Sequence, residues 1–217
     1  MILKMPRAVF WDWDGTLADS YGFLNDAHNH TLETLGFDKF QEGEYRRYFG
    51  KPREKLYPAI YKDKCDDAMS VFQKYVLENS HKIQVLRGSR EVLELFHQKN
   101  ITMGIVSNKK SSFIMKELEY LGWNKYFKVV IGSGDAKADK PSGAPLLMAI
   151  EEGGVSYDPY DVWYVGDTEN DLACAKNVGC HAVFLTDTPN SSDLIKKYNP
   201  LINFESYSQL KAILVAI

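Results

Sequence analysis

Apolar residues recur along the chain in two rhythms: short solid runs, and longer stretches at helical spacing, punctuated by Gly, Pro, Asn and Asp. The solid runs fall at 8–11, 101–106, 127–131, 162–165, 182–185 and 201–204. Runs of this length between turn residues fit strands buried on both faces. Between and after them the spacing predicts helices over 89–99, with Ser89 as N-cap, and over 112–121, ending near Gly122. Further helices are predicted over 145–152, over 171–177 closed by Gly179, and over 207–217. Alternating strand and helix units of this size require crossover connections, and so a mostly parallel sheet covered on both faces.

The stretch 21–82 breaks that alternation. Leu24, His28, Thr31, Leu32 and Leu35 sit at helical spacing and stop at Gly36, and three more helices are predicted over 44–49, 52–61, with Pro52 in its first turn, and 66–80. The expected fold class is therefore α/β, a Rossmann-like parallel-sheet core from 1–19 and 83–217 interrupted by an all-helical domain over 20–82.

Bulk properties narrow the class. Of 217 residues 45% are hydrophobic, enough for a packed core, and a net charge of −3 supplies no field that would attract nucleic acid or an anionic membrane. Three cysteines suggest free thiols in a reducing compartment, and Cys174 with Cys180-His181 lacks the paired spacing of a zinc site. No run reaches transmembrane length and residues 1–6 cannot hold the apolar core of a signal peptide, so the expected location is cytoplasmic. One sequence displays no surface and sets no oligomeric state.

The chemistry gathers at strand ends. Asp12 and Asp14 close the first run two residues apart, so an extended backbone sends both carboxylates to one side, and Gly15 lets the chain turn away. Such crowding calls for a cation between the two or a proton on one of them. In open parallel sheets ligands sit beyond the carboxyl ends of the strands. Ser107-Asn108 and Gly166-Asp167 end two other strands, so three polar clusters are expected to face one crevice.

Four blocks then occur in a telling order: Asp12-Trp13-Asp14-Gly15-Thr16-Leu17 with Asp19-Ser20, Ser107-Asn108, Lys140-Pro141 with Pro145 and Leu146, and Gly166-Asp167 with Asp171. In that order they resemble the haloacid dehalogenase-like hydrolases, in particular the phosphatase branch with a helical cap and its phosphoglycolate-phosphatase-like subgroup. The resemblance implies a phosphomonoester hydrolase acting on a small phosphorylated metabolite. Asp12 would be the nucleophile that becomes a phosphoaspartate, and Asp14 the acid and base. Mg²⁺ would be held by Asp12, the backbone carbonyl of Asp14, and Asp167, with Asp171 either a further ligand or a support for Lys140 or a metal-bound water. Ser107, Asn108 and Lys140 would bind the phosphoryl group, Lys137 being a rival for Lys140. Gly143, where the family commonly has proline, would loosen that loop.

Around Gly50, Arg46, Arg47, Lys51, Arg53 and Lys55 offer cations, and Tyr45, Tyr48 and Tyr57 offer rings, that could contact substrate from the cap. Trp11 and Trp13 are read as packing residues, and His28 and His30 as scaffold. Phosphoglycolate, a sugar phosphate, a nucleotide and pyrophosphate all suit this reading. The alternatives are a sugar-phosphate mutase, which also keeps both aspartates, and a catalytically silent module that binds a metal or a partner.

Overall fold

The computed structural model describes residues 3–48, 51, 53–156, 158–186 and 191–217. Phe49 and Pro52, expected to bound two helices, and Gly50, at the centre of the cation cluster, lie outside the described residues.

Six parallel strands form one sheet: β1 (Ala8–Trp11), β4 (Thr102–Val106), β5 (Val129–Ile131), β6 (Val162–Gly166), β7 (His181–Leu185) and β8 (Ile202–Phe204). Their order is β5-β4-β1-β6-β7-β8, so β1 lies between β4 and β6, with Trp11 opposite Ile105 on one side and Val165 on the other. All four β1 residues are fully buried, as a strand covered on both faces must be. Alternate side chains feed two separate cores. Val9 and Trp11 pack with α4 (Ser89–Gln98), α5 (Ser111–Leu121) and α9 (Tyr207–Val215), whereas Ala8 and Phe10 pack with α6 (Ala144–Glu152) and α7 (Glu169–Val178).

The insertion holds α1 (Tyr21–Thr34), a 3-10 turn (Glu44–Arg47), α2 (Arg53–Tyr61), α3 (Cys65–Asn79) and a second 3-10 turn (Ser80–Lys82). Gly36, at φ +76°, follows the end of α1 as its sequence position predicts. Where the chain leaves and re-enters the core, β2 (Ala18–Asp19) and β3 (Gln84–Val85) pair antiparallel. Two-residue strands carry no readable alternation, and the sequence reading does not contain them. Nor does it contain α8 (Ser191–Tyr198).

One expected cap is corrected: Gly88, at φ +87°, precedes α4 as its N-cap, while the Ser89 hydroxyl donates back to the Leu86 carbonyl at 2.7 Å. Among the described residues no helix is long and apolar enough to cross a membrane.

His28 is the polar centre of the insertion. Its Nδ1 shares a 2.6 Å hydrogen bond with the Tyr61 hydroxyl, and its ring lies 4.6 Å from Phe72 and 5.0 Å from Tyr45. Burial pushes its pKa down to about 3, so the unfolded chain binds a proton below pH ~6.5 that the folded chain refuses. Stability is thus lost as pH falls, by about 1.4 kcal/mol per pH unit, or about 2 kcal/mol between pH 6.5 and 5. Urea unfolding across that range is expected to show a shallower pH dependence in His28→Gln than in the parent; parallel curves would contradict the assignment.

Candidate active site

Three adjacent strands deliver the site. Asp12 follows β1 and its amide continues the ladder to the Val165 carbonyl at 2.8 Å; Ser107 follows β4; Asp167 follows β6. Asp12, Ser107 and Asp167 are all buried. Two glycines make the close approach possible. Gly15 stands at φ +84°, and a Cβ there would lie 2.6 Å from Asp167 Oδ2. A Cβ on Gly166 would lie 2.3 Å from the Cβ of Asp171.

Gly166→Ala is therefore expected to displace Asp171 at a cost of about 1–3 kcal/mol. That lowers the thermal midpoint by roughly 2–12 °C. Calorimetry checks this, and an unshifted midpoint would show that the packing is slack.

Lys140 enters from the loop before α6 and reaches two carboxylates, donating to Asp12 Oδ1 and Asp171 Oδ1 at 2.7 Å each. Its loop is clamped at several points. Asn108 donates to the Lys140 carbonyl at 3.1 Å and accepts from the Lys140 amide at 3.0 Å, and Asn177 donates to the Pro141 carbonyl at 2.8 Å. Gly143 is the N-cap of α6, and a Cβ on it would lie 2.8 Å from Val178 Cγ2. Lys137 is exposed and lines a separate shallow cleft.

Asp171 is fully engaged. Besides Lys140, its Oδ1 accepts from the Tyr164 hydroxyl at 3.2 Å, and its Oδ2 accepts from the Thr168 amide at 3.0 Å and hydroxyl at 2.6 Å. Asp167 accepts from the Thr16 hydroxyl at 2.7 Å. Burial, with the neighbouring carboxylates adding to it, raises the pKa of both Asp12 and Asp167. Burial alone would lower that of Lys140, but Asp12 and Asp171 outweigh it and hold the ammonium charged. Asp12, Asp167 and Asp171 each present an oxygen within 4.8 Å of the others, a set of hard donors that fits a divalent cation.

Asp14 is half-buried, and its Oδ1 accepts from Lys109 Nζ at 3.1 Å. Lys109 in turn reaches Glu117, a fully buried carboxylate on α5 that also accepts from the Trp13 indole. Neither Lys109 nor Glu117 is among the residues singled out from the sequence. One signal was available: Glu117 shares a helical face with Phe113, Ile114 and Leu118, all buried. Trp11 and Trp13 are fully buried, in accord with packing roles, although Trp13 also spends its N–H on Glu117.

Above these groups lies a cavity of about 130 Å³ lined from below by Asp12, Asp14, Ser107, Asn108 and Lys140 and from the insertion by Tyr45, Tyr48, Lys51, Arg53 and Tyr57. The expected cap cations thus divide. Lys51 and Arg53 line the cavity, whereas Arg46 lies over the Tyr21 ring and Arg47 pairs with Glu44 at 2.5 Å.

Comparison with known proteins agrees with this arrangement. Residues 9–185 match the family model described as haloacid dehalogenase-like hydrolase. The phosphoglycolate phosphatase of Vibrio parahaemolyticus is 31% identical over 216 residues, 94% of this chain and 94% of the relative. The chain belongs to the haloacid dehalogenase-like hydrolase family, and within it to the phosphatases. The phosphoglycolate phosphatase of Salmonella typhi is 30% identical across 96% of this chain and 92% of its own. A haloacid dehalogenase-like family hydrolase from Streptococcus pneumoniae shares the fold, with a TM-score of 0.83 at 21% identity, over 96% of this chain and 98% of that one. The family match runs from β1 through β7 and so includes every strand end that carries a candidate catalytic group.

Proposed function

We propose that the chain is a Mg²⁺-dependent hydrolase of small phosphomonoesters, of the phosphoglycolate-phosphatase kind, that works through a phosphoaspartate on Asp12. The observation that carries this reading is the Lys140 ammonium, 2.7 Å from Asp12 and from Asp171, in the cluster where Asp167 completes the donor set.

A carboxylate oxygen of Asp12 attacks phosphorus, the bond from phosphorus to the ester oxygen breaks, and Asp14 passes a proton to the departing oxygen. Asp14, now ionised, takes a proton from the water that attacks the phosphoaspartate, which releases phosphate and restores Asp12. Lys140 and the Ser107 hydroxyl bind the phosphoryl oxygens, and Asn108 acts by holding the Lys140 loop in place. Mg²⁺, held by Asp12, Asp167 and the Asp14 carbonyl, would offset the charge of the phosphoryl group against the carboxylates. Asp171, whose oxygens also accept from Lys140, Tyr164 and Thr168, steadies Lys140 and stands beside Asp12 and Asp167 in the donor set.

Residues 20–82 form a cap domain over a core of 1–19 and 83–217, supported by the β2–β3 pair at the junction and by the cavity lined from both sides. Lys51 and Arg53 favour a leaving group that carries a second anionic centre, such as a carboxylate. The three free cysteines agree with a cytoplasmic location.

The test is a panel of phosphorylated metabolites with Mg²⁺ and with EDTA. Free phosphate with stoichiometric alcohol, lost in EDTA, is expected. An isomeric phosphate would indicate a mutase, and no reaction of any ester would remove the enzymatic reading.

A further inference from the structure

The buried chain Trp13–Glu117–Lys109–Asp14 is not needed to bind phosphate or metal. Glu117 is fully buried, with its carboxylate 2.6 Å from Lys109 Nζ and 2.5 Å from the Trp13 indole nitrogen. Lys109 is itself buried and spans the gap to Asp14 Oδ1 at 3.1 Å. Sinking a carboxylate and an ammonium among Phe113, Ile114, Leu118 and Trp123 is a poor way to gain stability, because apolar residues of the same shape do as well or better. The arrangement has a direction instead. Trp13 precedes Asp14 in the chain and is fixed edge-on against Trp123 at 6.2 Å, so its N–H aims Glu117, Glu117 aims Lys109, and Lys109 grips one oxygen of Asp14.

We infer that Trp13, Glu117 and Lys109 are positioning residues that fix the Asp14 carboxyl in the orientation from which it protonates the leaving oxygen. The inference rests on the phosphomonoesterase reading and adds to it a set of residues that never touch the phosphoryl group. Lys109 borders the cavity, but its ammonium is occupied by Asp14 and Glu117 rather than offered to an anion. With the array gone the Asp14 side chain is free to turn. In-line attack by Asp12 is unaffected, while proton delivery to the ester oxygen slows for a poor leaving group, and hydrolysis of the phosphoaspartate, which Asp14 also serves, slows for every ester.

Leaving groups separate this role from a structural one. An alkyl phosphate expels a strongly basic alkoxide and needs the proton; 4-nitrophenyl phosphate expels a stable phenolate and does not. In the double variant Lys109→Met/Glu117→Leu, kcat for an alkyl phosphate is expected to fall about 10²-fold. Its KM is expected to stay within about threefold, and the first-turnover burst of 4-nitrophenolate, which reports attack by Asp12 before Asp14 is needed to activate water, is expected to keep its rate within about fivefold. The thermal midpoint is expected to hold or rise. Trp13→Phe, which removes only the indole donor, is expected to show the same leaving-group dependence in smaller degree, and serves if the double variant does not fold. Equal losses in the first-turnover release of alcohol from both esters would overturn the inference and leave a folding role. A raised KM with unchanged kcat would overturn it in favour of direct phosphate contact by Lys109. Parent enzyme that turns over neither ester with Mg²⁺ would instead overturn the phosphatase reading, and this inference with it.

Discussion

Asp12→Asn is expected to lower phosphomonoester turnover by at least about 10⁴-fold, since an amide cannot accept the phosphoryl group and no neighbouring carboxylate is aligned to replace it. The same change is expected to raise, not lower, the thermal midpoint of the metal-free protein above neutral pH. Burial, opposed by Lys140 and joined by Asp171 and Asp14, pushes the Asp12 pKa up to about 7. A carboxyl whose folded value lies above its unfolded value of about 3.9 stabilises the fold at low pH, and that contribution is lost as pH rises toward and through about 7. Asparagine carries no charge to lose, and Lys140 keeps Asp171 as its partner. Calorimetry at pH 8 in EDTA, beside a phosphate-release assay, checks both halves. A variant that is inactive because it is unfolded would contradict the account of the cluster.

Lys140→Met is expected to do the opposite to stability. One ammonium holds Asp12 and Asp171 together beside Asp167, and its removal leaves three buried carboxylates facing one another. Removing one partner from a buried ion pair costs about 3–5 kcal/mol. For a chain of this size that is roughly 6–20 °C in midpoint. Turnover is expected to fall about 10²–10³-fold, since a preorganised donor at the phosphoryl group is gone. The direction with pH is also fixed. Protons can take the place of the lost ammonium, so the destabilisation is expected to be smaller at pH 5 than at pH 8, and added divalent cation is expected to recover part of it. A midpoint shift that is the same at both pH values would mean that the carboxylates do not sense one another.

The placement of the candidate site residues was legible in the sequence because it depends on strand ends. An apolar run that stops at Asp12, another at Ser107 and a third at Gly166-Asp167 can be placed on one edge from the rule for parallel sheets, and β4, β1 and β6 prove to be neighbours. Lys140 was reached through its family resemblance and not through periodicity, since a lysine in a loop carries no local signal. What stayed hidden were interactions made by side chains across long sequence separations. The Lys109 link from Asp14 to Glu117 depends on how α5 rotates against β1, and Asn108 turns out to brace the Lys140 loop 32 residues away. The β2–β3 pair was hidden for a different reason: with two residues each, these strands exist only because the insertion returns to where it began.

The central claim is that Asp12 carries the phosphoryl group during turnover, and acid quench of the working enzyme with substrate and Mg²⁺, followed by mass analysis of the peptides, tests it most directly. The account predicts a phosphoryl group bonded to Asp12 in the parent enzyme and none anywhere in Asp12→Asn. Phosphoryl transfer to another side chain, or full turnover with Asp12 unmodified at every quench time, would contradict it.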